Sequence, residues 1–222
     1  MSHKLSIIPT PIGNLGDITI RALDTLRAVD AVLCEDTRQS SKLMSHYEIS
    51  KPLIAFHKMN EYKEVDKIIQ QILSGKWFAL ISDAGTPVIS DPGNIIITKC
   101  IEKNIAIDCL PGATAFVPAL VNSGFDLSEF LFMGFPPHKK GRQTFIKKII
   151  AQTQTVVIYE SPYRILKFLH EMTEFGGEHK MISISREISK KFEETLRGTS
   201  TELANHFENH EPIGEFVVVI SK

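Results

Sequence analysis

Cysteine is scarce in this chain and shows no pairing pattern. Cys34, Cys100 and Cys109 are odd in number, lack C-x-x-C spacing and sit in apolar segments (AVLCE, TKCIE, IDCLP). That pattern predicts buried, reduced thiols instead of disulfides. Together with the histidines they give no ligand set, so no metal centre is expected. No apolar run approaches the roughly 18 residues that span a bilayer, and MSHKLSIIPTP has no signal-peptide stretch before its first polar loop. A cytoplasmic protein with no membrane partner is expected. Charge of one sign is missing too. With 25 basic and 26 acidic residues the formal net charge is −1, so the whole molecule has no general attraction to nucleic acid. Internal repeats and low-complexity segments are absent.

What is present is an alternation of short apolar runs with amphipathic segments. Lys4–Pro9, Ala31–Cys34, Pro52–Phe56, Trp77–Ile81 and Ile105–Leu110 read as strands. Between them Ile18–Val29, Thr37–Tyr47, Glu61–Leu73 and Ile95–Glu102 read as helices, the first capped by Asp17 or Thr19. Such alternation predicts an α/β fold with a mostly parallel sheet and helices on both faces. The second half differs in texture. Phe130–Phe135, Thr155–Tyr159, Met181–Ser185 and Glu215–Ile220 read as strands of a mixed sheet, with helices at Ile165–Phe175 and Thr201–Glu208. The turn-rich segment Ser123–Ser128 is the best linker, which places a boundary near residue 125. The expectation is two α/β domains, 1–125 and 126–222.

The loops of the first half carry the chemistry. LISDAGTPVISDPG, Leu80 to Gly93, leaves a strand through residues rich in Gly, Pro, Asp, Ser and Thr. PTPIGNLGD (Pro9–Asp17) and LPGATAF (Leu110–Phe116) are of the same kind. Open α/β sheets bind ligands just outside the carboxyl ends of their strands, so three such loops imply a small-molecule pocket and an enzyme. Gly13-Asn14-Leu15-Gly16 lacks the third spaced glycine of a dinucleotide fingerprint, which makes an NAD reading weak.

Eight ordered blocks resemble those of the tetrapyrrole-methylase-like group of S-adenosylmethionine-dependent methyltransferases, in its branch directed at ribosomal RNA. They are Thr10–Asp17, Glu35-Asp36-Thr37-Arg38, Phe56-His57 with Asn60-Glu61, Leu80–Gly93, Pro111-Gly112-Ala113, Glu160-Ser161-Pro162-Tyr163-Arg164, Ser185-Arg186-Glu187 and Gly214-Glu215. The likeness runs essentially from end to end. It implies a class III methyltransferase with a cofactor cleft between two α/β domains, S-adenosyl-L-methionine as cofactor, and a homodimer. It also implies 2′-O-ribose methylation of a cytidine in small-subunit (16S) rRNA, free or in the assembled subunit. Many relatives continue past the Gly-Glu-apolar strand into an extension, whereas this sequence stops at Lys222. Methylation of a corrin or porphyrin precursor, and non-catalytic binding of cofactor or RNA, are the alternatives.

A cationic cofactor carrying an adenine calls for close main-chain approach and an apolar slot. Asp83 and Thr86 suit its amino-acid or ribose end, with Val88 and Ile89 beneath, Thr114 and Ala115 beside the adenosine, Pro9 as a wall and Tyr159 nearby. A ribose hydroxyl is a poor acid, so a base or cation near the developing alkoxide helps. Arg38, Glu160, Arg164, Arg186 and Glu187 are the catalytic candidates, with His57 beside them. From Phe130 to Tyr159 there is no acidic residue. Lys139, Lys140 and Arg142 in that stretch, with Lys190 from a second basic cluster, are the expected RNA contacts.

Overall fold

The computed structural model describes residues 4–222. Its first unit runs to Thr114. It holds strands β1 (Lys4–Ile8), β2 (Ala31–Cys34), β3 (Leu53–Ala55), β4 (Trp77–Ile81) and β5 (Ala106–Cys109). The helices are α1 (Ile20–Ala28), α2 (Thr37–His46), α3 (Glu61–Leu73) and α4 (Asn94–Glu102). The sheet order is β3-β2-β4-β1-β5 and every pairing is parallel.

The strands alternate in which face they feed. Leu5, Ile7, Leu33, Phe78 and Leu80 pack with Val65 and Ile68 of α3 and Ile96 and Cys100 of α4. Ile8, Val32, Cys34, Ala79 and Ile81 pack with Ala22 and Leu26 of α1 and Met44 of α2. Both faces are therefore buried, which is why the strands read as continuous apolar runs. Thr19, the second of the two expected caps, starts α1 by accepting from the Ala22 amide at 3.1 Å. From β1 the chain crosses β4 to reach β2, and from β4 it crosses β1 to reach β5. Adjacent strands thus send their loops in opposite directions, and a crevice opens at their carboxyl ends.

The second unit, Ala115–Lys222, contains α5 (Phe116–Ser123), β6 (Phe130–Gly134), α6 (Arg142–Ile150), β7 (Thr155–Glu160) and α7 (Pro162–Glu174). β8 (Ile182–Arg186), β9 (Glu194–Gly198), α8 (Ser200–Asn209) and β10 (Phe216–Ile220) complete it. The order is β6-β7-β10-β8-β9, with β6 and β7 parallel and the other pairs antiparallel. Val156, Ile158, Ile182, Ile184, Val218 and Ile220 bury one face against α6, α7 and α8.

Three differences from the sequence reading have physical causes. α5 packs on β7, β8, β9 and β10, so the division falls between Thr114 and Ala115, ahead of the linker read near residue 125. β9 was not anticipated, because ETLRG lacks an apolar alternation; it is an edge strand whose charges discourage further pairing. Among the thiols, Cys34 and Cys100 are buried. Cys109, at the end of edge strand β5, is exposed, which corrects the expectation of three buried cysteines.

Candidate active site

In the first unit the three loops are knitted into one surface. Thr10 and Gly85 form an antiparallel bridge, with each amide donating to the other's carbonyl at 2.9 and 3.0 Å. The buried Thr10 hydroxyl donates to Ser82 O at 3.1 Å, and the Ser82 hydroxyl donates to Gly85 O at 2.8 Å. Thr86 Oγ1 donates to Ala113 O at 3.0 Å, joining the loop after β4 to the loop after β5. Pro9 lies against Gly112 so closely that a Cβ there would come 2.6 Å from the Pro9 Cβ. Val88 holds φ +77°, a left-handed conformation costly for a β-branched residue and typical of strained functional loops. Beside it Ile89 is exposed. Thr114 closes the first unit and Ala115 opens the second.

Acidic groups line this end of the sheet. Asp83 accepts from the Asp36 amide at 3.3 Å, and its carboxyl is pushed up by partial burial, with a further contribution from the charge of Asp36. Burial, then the neighbouring Glu35 and Asp83, push Asp91 up to about 6 against the opposing pull of Lys58. Asp36 itself is drawn down to about 2 by hydrogen bonds from Arg38, whose guanidinium reaches both carboxylate oxygens at 3.1 and 2.7 Å. The Phe56-His57…Asn60-Glu61 block turns out to be a brace. The Asn60 side chain accepts from the His57 amide and donates to Ala55 O, while Glu61 accepts from the Gly93 amide.

In the second unit the carboxyl ends of β6, β7 and β8 and the amino end of β10 share one edge, since Phe216 pairs with both Glu160 and Arg186. The last three sequence blocks therefore meet there. Glu160 is buried and its oxygens are fully engaged. Arg142 Nη1 donates to Oε2 at 3.2 Å, and Arg164 Nη2 (2.7 Å) and the Ser161 amide (2.8 Å) reach Oε1. Arg142 is only 3% exposed and also donates to Glu171 at 2.7 Å and to Pro137 O at 3.3 Å. Arg164 donates to Ser161 Oγ and Pro136 O.

These contacts revise three sequence-based assignments. Arg142 is not an RNA contact, because Glu160 and Glu171 bury its guanidinium. Glu160 is closed to substrate by two guanidinium groups. Lys190 sits between Glu187 (2.9 Å) and Glu215 (3.0 Å), so it offers RNA no net positive charge. Burial tends to raise the Glu187 carboxyl, but Lys190 and the Glu215 amide outweigh it and hold the group below its ordinary value. Arg186 pairs with Glu194 at 2.7 Å. Lys139 and Lys140 are exposed in the loop after β6. Tyr159 packs with Phe132 and Phe135, each at 5.3 Å between ring centroids.

The expectation that the histidines lack any ligand spacing such as H-x-x-x-H is corrected at one place. His206 and His210 stand four residues apart, and their rings stack at 4.5 Å. Among the described residues, however, no group of three or more His, Cys, Asp or Glu is placed to hold a metal. Nor does any described helix have the length and apolarity to cross a membrane.

A family profile described as Tetrapyrrole (Corrin/Porphyrin) Methylases matches residues 4–204. A protein of Thermotoga maritima named Ribosomal RNA small subunit methyltransferase I is 44% identical over 218 residues, covering 98% of both chains. A Bacillus subtilis protein of the same name is 42% identical over 97% of this chain and 74% of its own length, so relatives of that name differ in length. Among solved structures, a diphthine synthase superposes with TM-score 0.76 at 12% identity, covering 99% of this chain and 90% of that one, a likeness of fold alone.

Proposed function

This chain belongs to the tetrapyrrole methylase family, and from that premise we propose that it methylates the 2′-hydroxyl of a cytidine ribose in small-subunit (16S) rRNA, using S-adenosyl-L-methionine. The observation that carries the reading is the end-to-end likeness at 44% identity to a relative named for small-subunit rRNA methylation. The corrin or porphyrin alternative has only the family name and the fold behind it.

The residues present fit such a cofactor. Its sulfonium and ammonium are cationic, and Asp83 and Asp91, with Glu35 and Asp36, make this end of the first sheet acidic. Asp83 and Thr86 hold its polar end, Val88, Ile89 and Pro9 give the apolar walls, and Thr114 is proposed beside the adenosine. The bonds Thr10–Ser82, Ser82–Gly85 and Thr86–Ala113 fix those loops in advance, which lowers the ordering cost of binding. When bound, the cofactor supplies a methyl group on a sulfonium already activated for in-line displacement. The chain's own contribution is positioning and exclusion of water. Of the catalytic candidates, Arg38 has the most exposed side chain, and its guanidinium, paired with Asp36, is proposed to meet the acceptor or its phosphate. Lys139 and Lys140 are the proposed phosphate contacts. A homodimer in the cytoplasm is part of the same reading, and sedimentation tests the dimer.

The deciding experiment is transfer of labelled methyl from S-adenosylmethionine to small ribosomal subunits that lack this modification, with the product nucleoside identified by mass spectrometry. The expected product is 2′-O-methylcytidine. Cofactor binding without incorporation into rRNA would overturn the assignment.

A further inference from the structure

We propose that Phe135 and Tyr163 form a base-stacking platform for an unpaired nucleotide; this rests on the RNA reading above and specifies the form of RNA the enzyme takes. Both rings stand at the same edge of the second sheet. Phe135 directly follows β6 and Tyr163 opens α7 just after β7, and those two strands are parallel neighbours. Tyr163 is 95% exposed and Phe135 is 53% exposed, a costly way to display large apolar rings unless something covers them.

The segments that carry them are held stiffly. Arg164, next to Tyr163, donates to the carbonyl of Pro136, next to Phe135, at 3.1 Å. Arg142 donates to Pro137 O, and Glu160 anchors both guanidinium groups from beneath. The inner side of Phe135 rests on the Tyr159 ring. A buried ion network therefore fixes the backbone that carries both rings, so only the side chains themselves are left to order on stacking. A third exposed ring extends the edge: Phe192, 66% exposed in the loop after β8, lies beneath the Lys191 ammonium at 5.4 Å.

Charge identifies the occupant. The stretch from Phe130 to Tyr159 contains no acid, and the loop that begins at Phe135 carries the exposed Lys139 and Lys140. Aromatic faces interleaved with lysines suit a strand whose bases are splayed out, with rings taking bases and ammonium groups taking phosphates. A duplex hides its base faces and offers the rings nothing. A ribose hydroxyl awaiting methylation is also most accessible in a nucleotide drawn away from its neighbours.

The test uses the full-length enzyme with small ribosomal subunits as substrate. Tyr163→Ala should raise KM for subunits about tenfold, the loss of one stacked base, and leave kcat, cofactor affinity and melting temperature unchanged. Phe135→Ala should behave alike, and Tyr163→Phe should restore KM. Tyr163→Trp should keep KM and give a spectroscopic signature, since Trp77 is the single native tryptophan. Its emission should be quenched by decacytidylate and not by duplex RNA of the same length. Unchanged KM in both alanine variants, or equal quenching by duplex, would overturn the platform. So would quenching by a free porphyrin with none by RNA. A changed sedimentation coefficient in Tyr163→Ala would instead assign the ring to a second copy of the chain. Quenching is read without methyl transfer, so failure of the platform is separate from failure of wild-type enzyme to methylate rRNA.

Discussion

Gly214 lies against the carboxylate of Glu187, and a Cβ at position 214 would come 2.5 Å from the Glu187 Cγ and 2.6 Å from its Cδ. Gly214 has φ +98° and Glu187 has φ +51°, so two left-handed residues from separate segments are packed together. The Glu215 amide then donates to Glu187 Oε1 at 3.1 Å. Gly214→Ala should lower stability by about 2 kcal/mol or more, combining backbone strain with the collision. Urea denaturation measures it; a loss under about 0.5 kcal/mol would mean that the loop rearranges freely.

Arg142 was a natural candidate for RNA and proves to be a buried strut. Removing one partner of a buried ion pair leaves the other uncompensated, at about 3–5 kcal/mol. Arg142→Ala should therefore shift the unfolding midpoint strongly, because Glu171 loses its 2.7 Å partner and the buried Glu160 keeps only Arg164 and the Ser161 amide. A well-folded Arg142→Ala enzyme with a weakened salt dependence of RNA affinity would return this residue to the RNA surface.

Much of the architecture was legible because strand and helix periods are local. Glu61–Leu73 and Trp77–Ile81 appear with the bounds read from their apolar spacing. The blocks that shape the site were visible for the same reason, as runs of turn residues after strands. What escaped was set by partners distant in sequence. Nothing near Arg142 shows that Glu160 and Glu171, 18 and 29 residues on, fold beside it. The side on which α5 packs depends on strands that come later in the chain. The exposure of Cys109 depends on β5 being an edge strand, which is decided by strand order and not by its own sequence.

Asp91 gives the first unit a pH dependence. Its carboxyl, pushed up to about 6 chiefly by burial, lies above the ordinary Asp value of 3.8. Between those values the folded state binds more protons than the unfolded one, so stability falls as pH rises from about 4 to about 6. The cost is fully present above pH 6. Asp91→Asn should remove that slope and add about 1–2 kcal/mol at neutral pH, allowing for screening by solvent. Affinity for the cationic cofactor should move oppositely in wild type, rising as Asp91 ionises, and calorimetry across pH 5–7 reads it. Identical pH profiles in wild type and Asp91→Asn would show that Asp91 titrates without consequence.

Asp83→Ala should weaken cofactor binding about tenfold with the fold intact. The side chain is exposed, so its removal opens no cavity, while one carboxylate is lost from the acidic end of the sheet. Calorimetry with S-adenosylmethionine checks the affinity and thermal melting checks the fold. Unchanged affinity would remove Asp83 from the cofactor residues.

Lys139→Ala with Lys140→Ala separates phosphate contact from stacking. Each phosphate neutralised on a single strand contributes about 0.7 to the slope of log affinity against log salt, so the double variant should flatten that slope by about 1.4. Affinity should fall most at low salt and least at high salt, where screening already weakens the wild-type contact. Cofactor affinity should not change. Stacking carries no counterion release, so Tyr163→Ala should lower affinity equally at every salt concentration and leave the slope alone. Titrations of the two variants over the same salt series therefore give lines that differ in kind. A double lysine variant whose line runs parallel to wild type would mean that these ammonium groups stay in water when RNA is bound.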